Sequence, residues 1–295
     1  MIASSELSER RHPSSAGGTQ DAPDTYGPHD QDSELTRNQK VLTECTSIAE
    51  VGQVLEQGSI AVVRFGCYQL ELASGHVVAR DRAWVVAGRD DRIEAFDDAV
   101  VKGWYNCDIT VGDRARAVAY DQVTVHAVDS GIVDARGEAV VEARGHASVR
   151  ASGHARVQGQ DQVRIVAVGY ARVRVGGFAR VHAFGNVVIE AYDHAWIWAE
   201  DDVHVSAKDE ATVLARGRAH IDAQGNARVC LKDRAQLVAS GEVRSYLSDH
   251  AMAEVSDHVQ VWCGDYSRVR GQALVVPSGA SSVEYAQEDL DGGVG

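Results

Sequence analysis

Lysine is almost missing from this chain: Lys40, Lys102, Lys208 and Lys232 are four of 29 basic residues. Long apolar runs are missing too, and no segment reaches the ~20 consecutive apolar residues that a membrane-crossing helix needs. The opening MIASSELSERRHPSSAGG lacks the apolar stretch of a secretory signal, so the expected location is the cytoplasm, with no membrane partner. Cysteine is scarce and odd in number. Cys45, Cys67, Cys107, Cys230 and Cys263 follow no zinc or redox spacing, which predicts reduced thiols, with Cys107 and Cys263 buried as small hydrophobes. Positive charge is outweighed, 29 basic residues against 43 acidic ones giving −14, which favours solubility and argues against indiscriminate binding to nucleic acid or anionic membrane. Ala, Val, Gly and Arg dominate instead, as a GC-rich bacterial coding sequence would produce.

What the chain does have is a repeat. From Ala73 to Arg270 it recurs every eight residues without insertion or deletion, as in GHASVRAS-GHARVQGQ-DQVRIVAV. Each unit opens on Gly or Asp and sets small apolar residues at its third, fifth and seventh positions. The fifth is Val or Ile in nearly every unit (Val149, Val157, Ile165, Val173, Val181, Ile189, Ile197) and the third and seventh are mostly Ala. Alternation of this kind puts odd positions on one side of a strand and even positions on the other. Gly and Asp tolerate the tight backbone of a turn. Hairpins would favour Asn-Gly or Gly-Asn pairs at each turn, whereas the second turn residue here varies freely. The predicted fold is therefore all-β, a parallel β-solenoid of two-stranded sixteen-residue coils around a thin Ala-Val core. About 12 coils stacked at ~4.8 Å would make a rod on the order of 60 Å.

The flanks differ in composition. Residues 1–40 are rich in Ser, Asp, Glu, Gly and Pro and are expected to be disordered. Residues 41–72 are expected to cap the array with a helix and strand. Ile48, Val51, Val54 and Leu55 fall at helical spacing there, Thr46 or Ser47 offers an N-cap, and Gly58 offers a stop. The array itself is 73–270. Residues 271–285, with Pro277, break the register and are expected to close the last coil, leaving 286–295 as an acidic tail.

An octapeptide paired into sixteen, with small inward residues, resembles the repeats of bacterial ice-nucleation proteins, and Ala191–Ala199 (AYDHAWIWA) aligns with that pattern. The resemblance spans about two-thirds of the chain and implies the solenoid architecture. In that family, outward Thr-x-Thr pairs order water. The corresponding positions here hold Arg180 and His182, Trp196 and Trp198, His204 and Ser206, Thr212 and Leu214, and Arg228 and Cys230.

With a sixteen-residue coil, outward residues form columns. One runs Val166, His182, Trp198, Leu214, Cys230, Tyr246, Trp262; the opposite one runs Arg174, Glu190, Ser206, Asp222, Val238, Glu254. Exposed apolar surface marks interfaces, and Trp and Tyr are favoured anchors. The expected interface residues are His182, Trp198, Leu214, Tyr246 and Trp262. They would serve a homodimer or the docking of a protein partner, although aromatic ladders also simply stabilise stacked strands. A basic belt (Arg144, Arg150, Arg156, Arg164, Arg172, Arg174, Arg180) circles one stretch with Asp161 as its single acid. It is split between both sides, which suits a solvated belt better than a nucleic-acid platform. His146, His154, His194, His250 and His258 alternate sides and make no metal set. No inserted loop builds a cleft, so neither enzyme activity nor a cofactor is expected. Glu200, Asp201, Asp202, Asp97 and Asp98 read as solubilising charges, and Tyr105–Asp108 is the one irregular unit where a site could hide. The expected role is a rigid non-catalytic scaffold or protein-binding module. Ice binding and a polymer-forming cytoskeletal rod are the alternatives, the latter requiring bare ends.

Overall fold

The computed structural model of the protein describes residues 40–70, 75–264, 266–277 and 281–284. The expectations for residues 1–39 and for the tail 286–295 lie outside them. The chain folds as a parallel β-solenoid. From the strand Ile60–Val63 onward, strands alternate between two sheets as the chain advances. Sheet A contains 16 strands, from Leu42–Glu44 to Ser282–Glu284, and sheet B contains 14, from Cys67–Gln69 to Leu274–Pro277.

Each octapeptide makes one corner and one strand. The corner residue is left-handed, for example Gly145 at φ 70°, Asp161 at φ 63° and Gly177 at φ 65°. That conformation costs Gly nothing, and Asp tolerates it better than most residues. The Asp corners return the cost through a bond to the coil before. The carboxylate of Asp193 accepts from the N–H of Gly177 at 2.8 Å, Asp161 from Gly145 at 3.1 Å, and Asp233 from Gly217 at 3.1 Å. Four strand residues follow, as in Ser148–Ala151, paired sixteen residues away on both sides: Val149 with Val133 and with Ile165. Stacking identical coils in register lets every inward Ala and Val meet its counterpart, so Ala147, Val149 and Ala151 are all buried. The core is one narrow file between the sheets, closed to larger side chains. At Gly103 even a methyl group would sit 2.6 Å from Cys107 Sγ and Ile109 Cδ1.

The two ends depart from this rule. Ser47 is the N-cap, its hydroxyl accepting from Glu50 N–H, while the Glu50 carboxylate takes the Thr46 N–H at 2.7 Å. The helix Ile48–Glu56 then buries Val51, Val54 and Leu55 over the first coil, and Gly58 follows it at φ 71°. Ile48, placed by its spacing on that face, is exposed, and Leu42–Glu44 is a strand paired to Ile60–Val62. At the other end the register shortens: Gln260 pairs with Leu274 and Arg268 with Ser282, fourteen residues apart instead of sixteen. The segment expected to close the array thus supplies two further strands, Leu274–Pro277 and Ser282–Glu284.

Candidate functional site

Because strands repeat at sixteen residues, every even position becomes a column on the outer surface of one sheet. In sheet B the register aligns Val166 with His182, His182 with Trp198, Trp198 with Leu214, Leu214 with Cys230, Cys230 with Tyr246, and Tyr246 with Trp262. All five residues singled out in the sequence therefore lie in one line, and the line continues to Val276. Rings stack along it. Tyr246 and Trp262 are 4.7 Å apart and nearly parallel, and His182 lies 4.9 Å from Trp198. Even so, Tyr246 keeps 52% of its surface exposed and Trp198 37%. The stacking consumes ring faces and leaves ring edges to solvent.

Two strand positions earlier runs a second sheet B column that the sequence reading had not joined to the first. It aligns Arg164 with Arg180, and Arg180 with Trp196. Between the columns lies a shallow trough of about 260 Å³ walled by Arg164, Val166, Arg180, His182, Trp196 and Trp198. The Arg180 guanidinium lies 5.8 Å from the Trp196 ring centre, and Arg216 lies 5.6 Å from that of Trp198. No carboxylate lies within ion-pairing distance of Arg164 or Arg180 among the described residues, although the register sets the two side by side. The signal for this column was the same sixteen-residue spacing, applied two strand positions earlier.

The belt divides between the sheets as expected. Arg150, Arg164 and Arg180 lie in strands of sheet B, Arg156, Arg172 and Arg174 in strands of sheet A, and Arg144 directly follows the sheet A strand Val140–Ala143. Sheet A has the larger trough, about 600 Å³, edged by Glu138, His154, Arg156, Tyr170 and Arg172. Its walls mix both charges, and its opposite column pairs with itself, Arg174 lying 3.7 Å from Glu190. No group of three or more His, Cys, Asp or Glu suited to a metal ion occurs among the described residues.

Several expectations need correction. The acids read as solubilising are structural. Asp202 takes a two-pronged bond from Arg218 at 2.8 and 2.7 Å, Asp201 accepts from Gly185 N–H, and Glu200 lies 3.2 Å from His182. Asp98 is held in the same way by Arg114, which lowers its carboxyl below the usual range, and Asp97 accepts from Asp81 N–H. The irregular unit Tyr105–Asp108 is a packing solution. Its Cys107 is buried, and burial followed by the nearby Asp91 pushes the thiol up to about 12, far from a nucleophile's range. Asp91 sits at an inward position and accepts from Gly88 N–H at 2.7 Å and Gly75 N–H at 3.2 Å, where the corner slides to Asp90 at φ 61°. Burial raises its carboxyl more than those two bonds lower it. The water-ordering columns of the ice-nucleation pattern do not form either. Thr124 is flanked by Asp108 and Val140, Thr212 by Trp196 and Arg228, and Thr110 by Glu94 and His126.

No helix is long and apolar enough to cross a membrane among the described residues. No family model, no curated protein and no solved structure matches the chain.

Proposed function

We propose that the protein is a non-catalytic scaffold, a stiff solenoid that offers the outer face of sheet B as a protein-docking surface. The observation that carries this reading is the aromatic and apolar line from Val166 to Val276, in which Val166, Trp198, Tyr246 and Val276 are exposed and His182, Leu214, Cys230 and Trp262 half-buried, on a protein whose core needs none of it. Side chains that stabilise only the stack would have no reason to gather on one sheet. All five tryptophans gather there: Trp84, Trp196, Trp198 and Trp262 in sheet B strands, and Trp104 directly after the sheet B strand Val100–Gly103. Large rings in one column, Trp198 and Tyr246 among them exposed, supply area at low entropic cost, which is what interface anchors do. Among the described residues the octapeptide rhythm of the array leaves no projecting loop to wall a cleft, which supports a binding role over a catalytic one.

Docking takes one of two forms, pairing with a second copy or holding a different protein. Light scattering on the eluting full chain separates them. A wild-type dimer that becomes a folded monomer as Trp198→Ala/Trp262→Ala supports pairing. A dimer whose mass the variant leaves unchanged overturns docking through this face, and a wild-type monomer assigns the face to another protein.

A further inference from the structure

Resting on that reading, we infer that the occupant of the sheet B face is an acidic, apolar-studded polypeptide segment lying along the trough between the two outward columns. The first argument is charge. At the outward strand positions of sheet B, from Lys102 to Arg244, seven basic side chains stand against the single acid Asp134. The equivalent positions of sheet A, from Arg92 to Arg270, carry six of each sign. The whole chain is net −14, so this is a local reversal of sign and not a reflection of composition. Asp134 is itself taken by Arg136. Arg164 is aligned with Arg180 in a trough whose lining holds no carboxylate, whereas the aligned Arg228 and Arg244 share theirs with Glu210 and Glu242, so the uncompensated charge centres on Arg164 and Arg180.

The second argument decides what kind of anion. A second copy docked face to face would set this basic surface on itself, the arrangement that electrostatic complementarity selects against. A single-stranded nucleic acid would use ring faces as platforms for its bases. Here those faces are already covered: Tyr246 and Trp262 cover each other, Arg180 lies over Trp196 and Arg216 over Trp198. Ring edges and the apolar side chains of Val166 in the trough wall and of Leu214 and Cys230 farther along the same column remain, and they suit aliphatic or aromatic side chains of a peptide. Its carboxylates would then reach the unpaired arginines, with two-pronged geometry available to each.

The test uses the full chain and fluorescein-labelled synthetic peptides in which Glu alternates with Leu and Phe. The same peptides with Lys for Glu, and an oligothymidylate of matching charge, serve as competitors. Binding is followed by anisotropy. The expected result is binding of the Glu peptide that weakens as salt rises, with the Lys peptide at least about tenfold weaker. Arg164→Gln/Arg180→Gln and, separately, Trp198→Ala should each reduce binding by about tenfold or more. Arg156→Gln/Arg172→Gln on sheet A should leave it within about twofold. Neither double Gln variant removes a core contact, and both are checked for folding by circular dichroism. No binding of the Glu peptide, or equal binding of the Lys peptide, overturns the acidic partner. If the Lys peptide still responds to Trp198→Ala, the docking face survives that loss. Oligothymidylate that outcompetes the Glu peptide also overturns it in favour of nucleic acid. Binding lost only in the sheet A variant overturns the docking face itself.

Discussion

Sheets A and B share one interior and have different exteriors. Ile189 beneath sheet A and Ile197 beneath sheet B occupy the same position of successive units and are equally buried. One residue farther along each repeat the side chain points outward, and there Glu190 answers Arg174 on one sheet while Trp198 stacks on His182 on the other. The contrast separates two kinds of constraint. Inward positions are dictated by a thin core that accepts little beyond Ala, Val and Ile. Outward positions are free, so an outer face that departs from neutral, mixed-charge surface reports use. Sheet A resembles ordinary solvated surface, and sheet B does not.

The shared interior can be broken most strongly. Ile189→Ala and Ile197→Ala should each cost about 2–4 kcal/mol in urea unfolding, and equally so, because each leaves a cavity in the same file of side chains. A difference beyond about 1 kcal/mol would mean that the outer faces contribute to the core after all. Corners come next. Gly177→Ala should cost about 1–3 kcal/mol, and Gly185→Ala less, although both residues are left-handed. A methyl group at Gly177 meets the Asp161 backbone nitrogen at 2.9 Å, whereas at Gly185 the nearest atom is 3.5 Å away. On the outside, Trp198→Ala/Trp262→Ala should shift stability by no more than about 1 kcal/mol while weakening partner binding, which sharpens the distinction between the two roles. The smallest effect is electrostatic. Arg114 lowers the Asp98 carboxyl in the folded state, so its contribution is present above the unfolded carboxyl range and is lost as pH falls through its folded value. Asp98→Asn should therefore shallow the acid limb of the stability–pH curve and leave neutral-pH packing unchanged.

Much of this was legible in the sequence because an uninterrupted period leaves few choices. Gly or Asp at almost every corner (Tyr105 and Tyr266 are left-handed too), Ala-Val-Ala inside and a repeat of eight were enough to specify parallel strands, two sheets and a sixteen-residue coil. The column through Trp198 and Trp262 followed directly. Three things did not follow. Corner carboxylates such as Asp201 looked like solvated charge because their partners, Gly185 N–H for Asp201, lie one coil away and only coil stacking brings them together. Asp91 could not be read as inward, since its placement depends on the corner sliding by one residue to Asp90. The Arg164–Arg180–Trp196 column was missed although the belt was already divided between two sides, because the two arginines were not followed on to Trp196 and the acids were not set against them sheet by sheet. Sorted by sheet, the same arginines divide into a balanced face and an unbalanced one.

The central claim, an exposed basic and aromatic face on an acidic protein, can be tested without any partner. Because all five tryptophans lie on the sheet B side, fluorescence excited selectively at tryptophan reports that side alone. Quenching by iodide and by caesium at matched low ionic strength compares the local potential around these rings. The account predicts iodide to quench at least about twofold more steeply than caesium, with the gap narrowing in Arg164→Gln/Arg180→Gln and closing as salt screens the face. Caesium quenching as steep as iodide's, the result expected from the net charge alone, would contradict it.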